Sequence, residues 1–167
     1  KEILLAHEVQ SLFIPQKPPP IPGFSVDLMS LPARDLNGDY CDVQALPGGR
    51  ILFVIGAATG RGVSSALVMT MAKAGVLTGL DKNLAPGELL QQLHTIFDSH
   101  FHGEVVMTFF AAVLTPETGR LHYAGAGHPW PILARAGGEL ESLDGSPSPL
   151  GFSPREDIPT EKEVFLG

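Results

Sequence analysis

An acidic turn, Asn37-Gly38-Asp39-Tyr40-Cys41-Asp42, precedes an apolar run and then a glycine loop, Gly56-Ala57-Ala58-Thr59-Gly60-Arg61-Gly62. Carboxylates at strand ends that face a glycine loop suit Mg²⁺ or Mn²⁺, which prefer hard oxygen ligands. The ordinary alternative for Asp39 and Asp42 is a solvated or turn-capping role. A loop between a strand and a helix also invites a phosphate cradle, because helix N-termini bind anions. The spacing matches neither G-x-G-x-x-G nor a loop closed by Gly-Lys-Ser/Thr. Tight turns that need positive φ account for Gly60 and Gly62 in every case.

Other chemistries find less support. His7, His94, His100, His102, His122 and His128 are scattered, and no H-E-x-x-H zinc pattern occurs. His100 and His102 fall at a helix end, and an i, i+2 pair does not share a helical face. His128 follows a strand in Gly125-Ala126-Gly127-His128-Pro129, where tying a turn by hydrogen bonds is its ordinary role. No G-x-S-x-G elbow is present. Cys41 has anionic neighbours, which raise a thiol's pKa and argue against a nucleophile.

The elements that must position these residues can be read from periodicity. Residues 2–13 carry Ile3, Leu4, Leu5, Val9, Leu12 and Phe13 at the spacing of a short amphipathic helix. Pro15 and Pro18-Pro19-Pro20-Ile21-Pro22-Gly23 end it and force an extended crossing. Alternation over 24–30 predicts a strand. Residues 40–46 and 50–55 predict two more, joined by Pro47-Gly48-Gly49, the second apolar enough to be buried on both faces. A long helix opens after the 56–62 loop, with Val63, Leu67, Met71, Ala74 and Leu77 as its apolar stripe. A second starts at Pro86, with Leu89, Leu90, Leu93, Ile96, Phe97 and Phe101. Strands follow over 105–114, 120–124, 130–134 and 139–143, and 146–159 reads as a proline-rich loop. Strands and helices in blocks, without strict alternation, predict an α+β layered fold with antiparallel sheets.

Bulk properties narrow the functions. The 167 residues are 44% hydrophobic and 17% charged, as in one folded domain. A net charge of −7 without a basic run argues against nucleic acid and anionic membranes. It is awkward for anionic substrates unless a cation sits in the site. A single cysteine points to a reducing, cytoplasmic setting. The apolar stretch 66–80 is broken by Thr70, Lys73 and Gly75, which argues against a membrane span. A chain that opens on Lys1 and stops after Glu163-Val164-Phe165-Leu166-Gly167 is expected to be a piece of a longer protein.

Five segments together carry a resemblance. They are Gln10-Ser11-Leu12-Phe13-Ile14-Pro15, Pro32-Ala33-Arg34-Asp35-Leu36-Asn37-Gly38-Asp39-Tyr40-Cys41-Asp42, residues 54–62, Met107-Thr108, and Ala126-Gly127-His128-Pro129. In that order the set resembles the SpoIIE/RsbU-type branch of the metal-dependent (PPM) protein serine/threonine phosphatases. The resemblance implies an antiparallel β-sandwich flanked by helices, αββα. It implies two Mn²⁺ or Mg²⁺ ions at one end, whose bound water attacks a phosphoserine or phosphothreonine. The implied substrate is a phosphorylated STAS-type anti-anti-sigma protein, in signalling that controls sigma factors. The implied setting is the output end of a multidomain sensor.

Carried over by position, Asp39 matches the first metal-ligand aspartate, with Asn37 in place of a glycine. Ala57 stands where the family carries the aspartate that bridges both metals. Ala58 would lend its backbone carbonyl. Arg34 would approach the substrate phosphate, since a guanidinium fits phosphate. Phe110 stands near a variable acidic position. The family's last metal ligand lies in a C-terminal segment beyond this sequence. Residues 1–22 are thus expected to be a helix and linker, and 23–167 a phosphatase domain lacking its C-terminal part.

A methyl at position 57 cannot ligate, and two dications there would repel with less compensation. Three accounts fit Ala57: an engineered Asp→Ala change, a natural pseudophosphatase, or a segment of a longer chain carrying either. The functions to be weighed are a phosphatase domain inactive through Ala57, a non-catalytic partner-binding module, and a nucleotide-binding domain using the 56–62 loop. The N-terminal stripe would suit either a homodimer or ordinary packing.

Overall fold

Tight turns pair consecutive strands. A 3-10 turn at Pro47–Gly49, with Gly48 at φ 76° and Gly49 at φ 70°, closes β1 (Asp39–Ala45) on β2 (Ile51–Ala58). Residues 116–119 similarly join β3 (Met107–Thr115) to β4 (Arg120–Ala126). β5 (Ile132–Ala134) and β6 (Leu140–Ser142) form a separate two-stranded ribbon, and β7 (Lys162–Phe165) pairs with β4. The main sheet runs β1-β2-β3-β4-β7, antiparallel throughout. The computed structural model describes residues 2–13, 17–31, 36–152 and 160–166.

Strand alternation sends side chains to two cores. One face presents Tyr40, Leu52, Val54, Phe109 and Ala111 to helices α2 (Val63–Asp81) and α3 (Pro86–Phe101). The other presents Val43, Ile51, Phe110, Leu114 and Tyr123 to Leu133, Leu143, Ile21 and Phe24. The α+β antiparallel architecture expected from the sequence is therefore present. β2 extends three residues past the expected end, so Gly56, Ala57 and Ala58 are strand, not loop. It is not buried on both faces throughout: Ile55 is 43% exposed.

α3 buries Leu89, Leu90, Leu93 and Phe97, as its stripe predicts. Its start is fixed by Pro86 and by the Ala85 N–H, which donates to Glu88 Oε2 at 2.9 Å. α2 reverses the expectation. Val63 and Leu67 are exposed, while Ser65, Met69, Ala72, Lys73, Val76 and Gly79 are buried. Small residues decide the face, because a Cβ on Gly75 or Gly79 would lie 2.5 Å from Leu93 or Leu89 of α3. Close helix approach outweighs the larger side chains on the other stripe. By length and composition α2 would suit a membrane crossing, but here half of it is buried, packed on the sheet.

The N-terminal segments also depart from expectation. Residues 24–30 alternate partly buried and exposed positions, yet beyond the Ile21–Phe24 bridge they pair with no strand. They lie as an extended cover on the sheet, so the periodicity reflects burial without a hydrogen-bond ladder. In α1 (Glu2–Ser11) the apolar residues Ile3, Leu4, Leu5 and Val9 are exposed and the buried residue is Gln10.

Candidate functional site

The site begins at one end of the sheet, where the register sets Asp39 opposite Ala57 and Ala57 opposite Thr108. Residues directly opposite share a face, so the three side chains form a row. The Ala58 N–H donates to the Gly38 carbonyl at 3.1 Å, which makes 39–57 a non-hydrogen-bonded pair, the closer kind. Asp39 is exposed, and the methyl of Ala57 faces it across the strand gap.

Local sequence holds this end open. Gly38 is tucked against α2, where a Cβ would lie 2.6 Å from Ser65 Cβ. Asn37 is buried, and its Oδ1 accepts the Asp39 N–H at 3.0 Å, fixing the acidic turn. Gln10 braces that turn from α1: its Nε2 donates to the Asn37 carbonyl at 2.7 Å, and its Oε1 accepts the Asn37 N–H at 2.8 Å. Thr59 ties the loop to β3's approach, donating through Oγ1 to the Val106 carbonyl at 3.0 Å and accepting its N–H at 3.2 Å. Gly60 at φ 100° and Gly62 at φ 68° then turn the chain into α2, as their type predicts. Between turn and loop lies a cavity of about 410 Å³ lined by Asn37, Asp39, Ala58, Gly60, Arg61 and Ser65, among others.

Asp42 belongs elsewhere. It is 1% exposed on the helix side of the sheet, ion-paired with Lys73 of α2. Its Oδ2 also accepts from Tyr40 Oη at 3.0 Å, and its Oδ1 accepts from the Val43 N–H and Gln44 Nε2 at 2.9 and 2.8 Å. Burial, then the Asp42 charge, pushes the Tyr40 phenol well above its ordinary value. Asp42 is neither a solvated turn residue nor a metal ligand. Strand alternation, which a reading of two nearby acids as one cluster ignores, sends it to the opposite face from Asp39.

Two segments distant in sequence join the row. Thr108 Oγ1 lies 3.0 Å from His128 Nδ1 and 3.4 Å from the Ala57 carbonyl. Burial lowers the His128 pKa, with Asp39 pulling weakly the other way. The ring ties its turn by hydrogen bonding, as its ordinary role predicts, and does so beside the site. Burial raises the Cys41 thiol, with smaller contributions from Asp42 and Asp39, and a Ser30 hydrogen bond opposes them. That agrees with the sequence argument against a nucleophile.

The residues present do not fit a dimetal centre. Asp39 is the one carboxylate among those named around the cavity, and no group of three His, Cys, Asp or Glu is placed to hold a metal among the described residues. Ala58 is among the residues that line the cavity. Phe110 is core, 6% exposed and stacked on Tyr123 at 5.7 Å. Arg34 lies outside the described residues. The role of Gln10 was not legible from spacing, since a glutamine in an apolar helix carries no period.

Comparison with known proteins bears on the whole arrangement. The family model for Stage II sporulation protein E (SpoIIE) matches residues 47–166. The phosphoserine phosphatase RsbU of Bacillus subtilis (strain 168) is 26% identical over 127 residues, covering 76% of this chain and 38% of that protein. The RsbU and RsbW domains of Rv1364c from Mycobacterium tuberculosis share the fold with a TM-score of 0.69 at 24% identity, over 81% of this chain and 38% of that one. The SiaA-PP2C domain of Pseudomonas aeruginosa gives 0.76 at 17% identity, over 99% and 66%. The chain thus spans well under half the length of the curated relatives it matches.

Proposed function

The chain belongs to the SpoIIE family, and from that premise we propose that it is a metal-dependent protein serine/threonine phosphatase domain whose turnover is abolished by Ala57. The substrate class is a phosphorylated regulatory protein of the STAS, anti-anti-sigma type, and the reaction is hydrolysis of its phosphomonoester. One observation carries the reading: Ala57 faces, as a close cross-strand pair, the Asp39 that lines the cavity. A carboxylate at position 57 would sit with its Cβ about 4.5–5.5 Å from that of Asp39, near enough to share a Mn²⁺ or Mg²⁺ ion. When bound, such ions activate water and neutralise phosphoryl charge. This chain's own residues supply the cradle: Asn37 fixes the Asp39 turn, and Thr59 fixes the opposite wall.

The test is Ala57→Asp in a chain extended at its C-terminus through the segment expected to carry the last metal ligand, with Mn²⁺ binding followed by calorimetry and hydrolysis of a phosphoserine peptide followed as phosphate release. The variant is expected to gain both. No gain in Mn²⁺ affinity would refute the reading. Ala57 itself favours a second reading, a pseudophosphatase that binds its partner without catalysis. It expects no Mn²⁺ binding even in the Ala57→Asp variant, and partner affinity indifferent to phosphorylation. Both readings place the domain in the cytoplasm at the output of a sensor, connected through α1. The exposed Ile3, Leu4, Leu5 and Val9 would support pairing of two copies there.

A further inference from the structure

Among the described cations, Arg61 shares with Lys17 and Arg120 a side chain without a partner, and differs from both in lining the cavity that Asp39 lines. Arg50 donates to the Pro47 carbonyl and to Asn83 Oδ1, Lys82 to Gln92, and Lys73 is paired with Asp42. Arg135 is held by Glu141 and the Phe165 carbonyl, and Lys162 by Asp144. Arg61 is exposed at the apex of a loop whose direction is set by Gly60 and Gly62, and its guanidinium has no partner among the described residues. It lines the same cavity as Asp39, yet the two are not ion-paired. Opposite charges on one small cavity ordinarily close on each other. Here the Asn37 clamp and the Thr59–Val106 bonds hold their backbones on separate walls.

A chain of net charge −7 repels anions over most of its surface, so a free guanidinium at the cavity is a local exception. Its planar fork presents paired donors to phosphoryl oxygens. We propose that Arg61 is the residue that recognises the phosphoryl group of a phosphoserine or phosphothreonine side chain entering this cavity. It acts through binding and retains that role in the chain as it stands, without turnover. The inference rests on the phosphatase reading for its substrate class, but not on the metal.

The probe is N-acetyl-O-phosphoserine N-methylamide, with N-acetylserine N-methylamide as control, each titrated into the unaltered chain and followed by amide and arginine Nε–H NMR shifts. The phosphorylated probe is expected to shift residues 60–65 saturably, and the control is not. Arg61→Ala is expected to weaken binding about tenfold or more, the scale of a lost charge-assisted hydrogen bond. Arg61→Lys should fall between, and Lys17→Ala, another exposed cation remote from this cavity, should match the parent. Unchanged affinity in Arg61→Ala, or no saturable shift in the parent, overturns the proposal. In the same C-terminally extended Ala57→Asp chain with Mn²⁺, adding Arg61→Ala should raise KM for a phosphoserine peptide, with the loss falling on KM rather than kcat. An unchanged KM overturns the proposal while the phosphatase reading stands. Arg61-dependent binding without hydrolysis in Ala57→Asp does the reverse.

Discussion

Replacing Gln10 by leucine tests how the acidic turn is held. The side-chain amide of Gln10 exchanges two hydrogen bonds with the Asn37 backbone, and Gln10 is 6% exposed. Leucine fills similar space but leaves the Asn37 N–H and C=O without partners in a buried setting. Each such group costs about 1–3 kcal/mol, so the pair sets an upper range of about 2–6 kcal/mol. The full sum is not expected. The flanking apolar residues of α1 are exposed, so the helix can lift away and let water reach Asn37. The lower bound of about 2 kcal/mol corresponds to roughly a thirtyfold loss of local protection. Native-state hydrogen exchange should show that loss at the Asn37 amide and, through Asn37 Oδ1, a smaller one at Asp39. The global melting temperature should move less than a core cavity would move it. Gln10→Glu keeps an acceptor for the N–H but no donor for the carbonyl, and should fall between. Protection at Asn37 unchanged within about threefold in Gln10→Leu would refute the view that α1 braces the site turn.

Two further outcomes follow from buried charge. Lys73→Met strands the Asp42 carboxylate, with its Tyr40, Val43 and Gln44 bonds but no cation, and should cost about 3–5 kcal/mol by urea unfolding. Adding Asp42→Leu should recover much of that, and a double variant no more stable than Lys73→Met would count against the pair. His128 titrates below the ordinary histidine value of 6.5 because it is partly buried. The unfolded chain therefore takes up the proton first as pH falls. This contribution is fully present above the ordinary value and is lost on acidification towards the lower folded value. Stability measured against pH should fall less steeply across that window in His128→Asn than in the parent, and parallel curves would rule out the burial argument.

The sequence by itself determined a good deal. Glycines at 48, 60 and 62 mark turns because few other residues adopt positive φ, and the structure places turns there. The apolar stripe of α3 and the hairpins at 47–49 and 116–119 follow from periodicity and turn chemistry, which act over a few neighbouring residues. The family resemblance pointed to positions 39 and 57 together, and residue type alone says that Asp39 could ligate a metal and Ala57 could not.

Tertiary structure decided which faces mattered. Asp39 and Asp42 look alike in sequence, but the pleat sends one to the cavity and the other to Lys73 on the far side. α2 buries its small residues because α3 approaches too closely for side chains at Gly75 and Gly79, a constraint set by a helix elsewhere in the chain. Residues 24–30 alternate like a strand, but a ladder needs a partner edge that local sequence cannot supply. The pairing of Gln10 with Asn37, of Thr108 with His128, and the isolation of Arg61 depend on chain segments far apart in sequence meeting at one end of the sheet. Residue type fixes what each group can do. The register and the approach of other segments fix which groups it meets.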